Sequence, residues 1–242
     1  MRVWAISDLH LSFARPMPRE RFAQRWKDHA DRVERHWRDA VAADDLVLLP
    51  GDLSMAWNHR EVQPDLEWLE RQPGLKVLAP GNHDRWWNKI EAVSRLMRPS
   101  LRAVEGATIL EHAGLVICGA RGVAFAGEES EVRDASSSSS RLRELHRLDQ
   151  ALEAAQAART ARQSIVLLWH FPPFDAHGRP GPCVSRCLAA GVSVVVYGHW
   201  HTEGQWSAAF HGVREGIQYC HVAADAIGFR PLPIPIPIPS LA

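Results

Sequence analysis

Short runs of consecutive apolar residues punctuate the chain, and each stops at a polar residue or a glycine. They lie at residues 3–6 and within "DLVLLPGD", "LKVLAPGN", "SIVLLWH" and "VSVVVYGH". Such runs, without polar alternation, predict strands buried on both faces. Between them apolar residues return every three or four positions. Phe22, Trp26, Val33 and Trp37 predict a helix over residues 22–42 with one apolar face. Further helices are predicted over residues 59–70, where "QPG" breaks the pattern, and over residues 88–97. Strand, helix, strand, helix, strand with long connections implies a parallel sheet covered on both faces.

The second half begins with "ATILEHAG" and "LVICGARG", two short strands at hairpin spacing. A polar stretch, "GEESEVRDASSSSSR", reads as a loop, and its 128–141 part follows "GARG" closely enough to cover a neighbouring site. Leu142, Leu145, Leu148 and Leu152 mark a helix over residues 141–162. Two weaker strands are predicted near residues 204–208 and 216–223. The tail "PLPIPIPIPS" alternates Pro and Ile, so it is excluded from a central strand and expected to be extended, with part of its isoleucine surface packed.

Composition narrows the function classes. Lys plus Arg equals Asp plus Glu at 28 each, so no global field draws the chain to nucleic acid or an acidic membrane. No apolar run approaches the roughly 20 residues of a membrane span, and the run in "MRVWAISDLH" is too short for a signal peptide. A cytoplasmic location is expected. Cys118, Cys183, Cys187 and Cys220 include one C-x3-C spacing without a second pair, and are expected to be free thiols. Trp57, Trp86 and Trp87 either wall a pocket or pack in the core.

The candidate chemistry lies in the residues that end the apolar runs. The first run ends in "SDLH", with Asp8 and His10. The second ends at Asp52, the third in Asn82, His83 and Asp84, the fourth at His170, and the fifth in "GHWH", with His199 and His201. One such residue would be an ordinary loop entrance. Five in order place a cluster at the C-terminal edge of the strands, where open α/β sheets build their sites. Carboxylate, amide and imidazole donors without thiolate suit a hydrolytic divalent metal site. Seven donors exceed one tetrahedral ion and suit two ions sharing a bridging carboxylate.

The ordered blocks "DLH", "GD", "GNHD", "H" and "GHWH" resemble the calcineurin-like metallophosphoesterase superfamily over nearly the whole chain. "GARG", "RELHRLDQAL" and "WHFPP" are similar to a bacterial branch of uncharacterised predicted phosphohydrolases. The resemblance implies a four-layer α/β/β/α sandwich over residues 1–230, with two central mixed sheets flanked by helices, followed by the tail 231–242. The hairpin and the two weaker strands would build the second sheet. It also assigns roles: Asp8, His10 and His201 to one metal, Asn82, His170 and His199 to a second, and Asp52 to the bridge. His83 would act on substrate as general acid, oriented by Asp84, while a cation such as Arg121 stabilises the phosphoryl oxygens.

The implied cofactors are two divalent ions (Mn, Fe or Zn), and the implied reaction is attack of activated hydroxide on a phosphomonoester or diester. A small or modest-sized phosphoester is the expected partner, with no membrane and no nucleic acid. A nuclease and a catalytically weak metal-binding scaffold are the alternatives, and nothing sets an oligomeric state. The second block departs from many relatives in lacking a further acid, reading "GDLSMAW", and Trp200 stands where a smaller residue is common.

Overall fold

The computed structural model describes residues 1–17, 24–125 and 138–237. The apolar runs form strands in two sheets. β1 (Val3–Ala5), β2 (Leu46–Pro50), β3 (Leu75–Ala79) and β4 (Leu101–Ala103) pair in parallel, and β11 (Leu232–Pro233) closes that sheet antiparallel to β1. The second sheet runs β5 (Leu110–His112), β6 (Leu115–Ala120), β7 (Ser164–Trp169), β8 (Val192–Tyr197), β10 (Ile217–His221) and β9 (Gly212–Arg214). Its β6–β7–β8–β10 core is parallel, and β5 and β9 are antiparallel edges. The long-connection pattern thus divides between two sheets, because β7 pairs with the hairpin strand β6 and β8 adds on to β7.

The central strands are apolar on both faces because each face meets a different partner. Leu46 and Leu48 of β2 turn inward with Val77, Ile117, Val166, Leu168, Val194 and Val196 between the sheets. The alternate residues Val47 and Leu49 turn outward. There they meet α1 (His29–Ala40), α2 (Gln63–Glu70) and α3 (Ile90–Ser94). On the far side α4 (Ser138–Ala158) and α5 (Pro182–Ala190) cover the second sheet with Leu148, Leu152, Val184 and Cys187. The result is the four-layer sandwich with two mixed sheets.

Several boundaries differ from the periodicity, each for a local reason. The long first helix is interrupted: Gln24–Trp26 forms a 3₁₀ turn, and Asp28 at φ 53° takes a left-handed conformation before α1 begins. Phe22 lies outside the described residues. Of the expected leucine stripe on α4, Leu148 and Leu152 are buried and Leu145 packs against the core, whereas Leu142 is 67 % exposed. The stretch expected as a strand near residue 204 is the helix α6 (Glu203–Ala208). Thr202 and Gln205 form a reciprocal cap at its start, which satisfies the first free N–H groups.

The Pro/Ile tail is a strap through residue 237. Ile234 is buried and its N–H bonds the Val3 carbonyl at 2.8 Å, and Ser164 Oγ donates to the Pro237 carbonyl at 2.7 Å. Proline is tolerated because β11 is an edge strand. All four cysteines are buried free thiols, as expected. Of the 128–141 loop, the part to residue 137 lies outside the described residues. No described helix is long and apolar enough to cross a membrane.

Candidate metal centre

The C-terminal ends of β1, β2, β3, β7 and β8 converge where the two sheets meet. Beyond β1 the chain continues beside the second strand's loop: Asp8 N–H bonds Gly51 O at 3.0 Å, His10 N–H bonds Asp52 O at 3.0 Å, and Leu11 N–H bonds Leu53 O at 2.9 Å. Ser7 N–H reaches across to Val222 O at 2.9 Å, and Ala224 N–H returns to Ser7 O at 3.0 Å. These bonds pin the sheets together at the site. The main chain is bent hard here. Asp8, His10, Asp52 and His199 all have positive φ (56°, 42°, 52° and 72°). Each such non-glycine residue costs about 1–3 kcal/mol, which the surrounding pairing must hold.

Two clusters of donors result. Asp8, His10 and His201 form one, and Asp52, His170 and His199 form the other, with donor atoms in each within 4.8 Å of one another. They adjoin: His10 Nε2 lies 3.8 Å from Asp52 Oδ2, and His170 Nε2 lies 3.4 Å from the same oxygen. That Oδ2 is buried and has no hydrogen-bond partner among the described residues, while Oδ1 accepts the His83 N–H at 2.7 Å. Asn82 Oδ1 sits 2.9 Å from His170 Nε2 and joins the second cluster. Gly81 and Gly198 must be glycine, because a Cβ at either would run into the Asp52 or the Asp8 carboxylate.

Charge in the cluster follows from burial. Burial lowers His10 and His199 to about 3, leaving neutral rings with lone pairs to donate. Burial also opposes charge on His170 and His201, but the Asp52 and Asp8 carboxylates outweigh it, raising His170 to about 9 and His201 well above its usual value. Asp8 and Asp52 are held low by these rings against the effect of burial. Imidazole, carboxylate and amide donors in two adjoining clusters fit a pair of divalent ions.

Outer contacts aim the donors. His170 Nδ1 faces the Pro50 carbonyl at 2.9 Å, and His201 Nδ1 faces Asp225 Oδ1 at 3.0 Å. Asp225 is buried, and it was not among the residues expected at the site. Its signal was present: it follows the apolar strand β10, as the other site residues follow theirs.

Asp84 makes no hydrogen bond to the His83 ring among the described residues. Its carboxylate accepts from Gly81 N, Leu53 N, Ser54 N and Trp86 Nε1 at 2.9–3.1 Å, which ties the third block to the second. These four donors occupy it away from the His83 ring. Burial and the nearby Asp52 charge raise it to about 7. The His83 ring lies edge-on to His10, centroids 5.4 Å apart, and makes no hydrogen bond among the described residues. Arg121 lies further out, in a cleft of about 300 Å³ lined also by Gly81, Asp84, Trp87 and Arg147. Its guanidinium bonds buried Glu144 at 2.6 Å. Trp86 and Trp87 are buried, whereas Trp57 is 51 % exposed. Trp200 packs behind the site as expected, 2 % exposed.

A family model described as calcineurin-like phosphoesterase matches residues 1–203. The chain belongs to this family. The family's description names phosphoester hydrolysis as its chemistry. Two solved structures share the calcineurin-like phosphoesterase fold seen here. A phosphopantetheinyl hydrolase from Mycobacterium tuberculosis aligns with TM-score 0.58 at 13 % identity, covering 100 % of this chain and 98 % of its own. The protein TT1561 of Thermus thermophilus aligns with TM-score 0.59 at 14 % identity, covering 96 % and 98 %. Among curated proteins, the Gene 66 protein of Mycobacterium phage L5 is 33 % identical over 81 residues. That match spans 34 % of this phosphoesterase chain and 39 % of the relative's length.

Proposed function

We propose that the chain is a dinuclear metal-dependent phosphohydrolase that cleaves a small phosphomonoester or diester. Asp8, His10 and His201 would hold one ion, Asn82, His170 and His199 would hold the other, and Asp52 would serve both. The observation that carries this reading is the buried Asp52 Oδ2, which has no hydrogen bond among the described residues and lies 3.4 Å from His170 Nε2 in its own cluster and 3.8 Å from His10 Nε2 in the other. Two bound divalent cations supply Lewis-acid polarisation of the phosphate and activation of the attacking water. The chain's own residues do the rest. His83, whose main-chain N–H is fixed on Asp52 and whose ring is uncommitted, gives its proton to the leaving oxygen. Asp84 holds the loop that carries Asn82 and His83. Arg121, at the cleft beside Gly81, offers positive charge to the substrate's phosphoryl oxygens.

The test is metal content followed by activity. Protein purified without chelator is expected to carry two metals per chain. Metal-free protein reloaded separately with Mn, Fe or Zn is expected to cleave p-nitrophenyl phosphate or bis-p-nitrophenyl phosphate. A single zinc on Cys183 and Cys187 would overturn the assignment. Burial works against that outcome, since it raises both thiols (Cys187 to about 12) and keeps them protonated.

Asp225→Ala is expected to weaken metal binding without removing a ligand. His201 would lose the carboxylate that fixes its ring, a change worth about 10–100-fold in metal affinity. Chelator competition measures it, and an unchanged affinity would remove Asp225 from the site.

A further inference from the structure

An unusual surface stands on the rim of the site. Trp57, five residues beyond Asp52, is 51 % exposed, and Phe13 beside its loop is 49 % exposed. Two guanidinium groups lie against the Trp57 ring: Arg15 Cζ is 3.5 Å from its centroid and Arg85 Cζ is 5.1 Å away. Each of the three residues sits on a loop that carries site donors. Arg15 follows Asp8 and His10, Trp57 follows Asp52, and Arg85 is two residues past His83.

The rim is built rather than loose. Met55 N–H bonds Leu11 O at 2.8 Å, so the first two loops run side by side. Buried Asp65 of α2 accepts from Phe13 N at 3.1 Å and from the Ser54 hydroxyl, gripping both loops from beneath. Glu61 accepts from Trp57 N at 3.0 Å, and Arg85 N–H closes a tight turn onto His83 O at 2.8 Å.

Stacking uses the face of a guanidinium and leaves its in-plane N–H donors available, which is the geometry that grips phosphate oxygens two at a time. Arg15 approaches one carboxylate, Glu61, at 3.9 Å, and Arg85 has no ion pair among the described residues. Two cations held on one indole repel each other, and a bound anion relieves that repulsion.

We propose that Arg15, Trp57 and Arg85 form a subsite for a second anionic group of the substrate, a phosphate beyond the scissile one. The inference rests on the hydrolase reading above and names the substrate class: phosphoesters that carry another phosphate. Trp57 gathers the two guanidinium groups, and the arginines make the contacts.

The experiment uses metal-loaded full-length protein and matched probes, propyl phosphate against short alkanediol bisphosphates of increasing spacer length. Calorimetric binding and turnover are both measured. Wild-type protein is expected to favour the best-fitting bisphosphate by about tenfold per guanidinium engaged, the size of an exposed charge-assisted hydrogen bond. In the Arg15→Gln, Arg85→Gln double variant the bisphosphate-to-monophosphate ratio is expected to fall to near one. Trp57→Ala should give an intermediate ratio. The ratio is the readout because a general loss of activity leaves it unchanged. A wild-type ratio near one, or a ratio unchanged in the double variant, overturns the subsite. Selective bisphosphate binding without turnover of any probe would uphold the subsite and sink the hydrolase reading.

Discussion

Asp52→Ala is expected to cost more than any other single ligand change: loss of at least one metal and of nearly all activity. Asp52 Oδ2 lies 3.4 Å from His170 Nε2 and 3.8 Å from His10 Nε2, one donor from each cluster. Asp52 belongs to the second cluster and also faces His10 of the first. The same carboxylate also holds the His83 N–H, so its removal loosens the loop that carries Asn82 and His83. Lewis-acid stabilisation is worth several kcal/mol, so losing one ion corresponds to about 10³-fold or more in rate. Metal analysis and turnover check the result, with a thermal melt to show that the variant folds. An Asp52→Ala protein that kept both metals and most of its rate would refute the bridge.

His83→Ala should leave both metals in place and slow turnover, with a loss that depends on the leaving group. The ring is near the clusters yet outside both: it stands edge-on to His10 at 5.4 Å between centroids and belongs to neither donor set. General acid catalysis contributes about 10²–10⁴-fold. An alkyl alcohol, which needs a proton as it departs, should suffer the full loss. A nitrophenolate departs unaided and should suffer much less. If His83 served only as a positive charge that positions substrate, both leaving groups would lose equally. Rates on both substrates with metal-replete variant protein decide the point, and equal losses would remove the general acid.

The order of the site was legible because its donors are local features. Each follows an apolar run directly, and a buried strand can only release such groups at its end, where main-chain pairing stops. That Asp8, His10, Asp52, Asn82, His170, His199 and His201 come together was therefore readable by position. Residues defined by a partner elsewhere were not. Asp225 matters through His201, 24 positions away, and Asp84 through Leu53 and Ser54, about 30 positions away. Neighbouring residues in "GNHD" suggested that Asp84 serves His83, but folding offered its carboxylate four closer donors.

Apolar patterning alone determined the buried strands, the α/β class and the edge that holds the chemistry, because a strand apolar on both faces must be covered on both. It did not determine which strands share a sheet. β7 and β8 look like continuations of β1 to β3, yet β7 pairs with β6 and β8 with β7, since the hairpin strand offers a parallel edge and the first sheet is already closed by β4 and β11. Nor could it place Ile234 against the sandwich core or stack Arg15 and Arg85 on Trp57. Those outcomes depend on surfaces that exist only once the two sheets have packed, and long-range packing of that kind leaves no periodic trace in the chain.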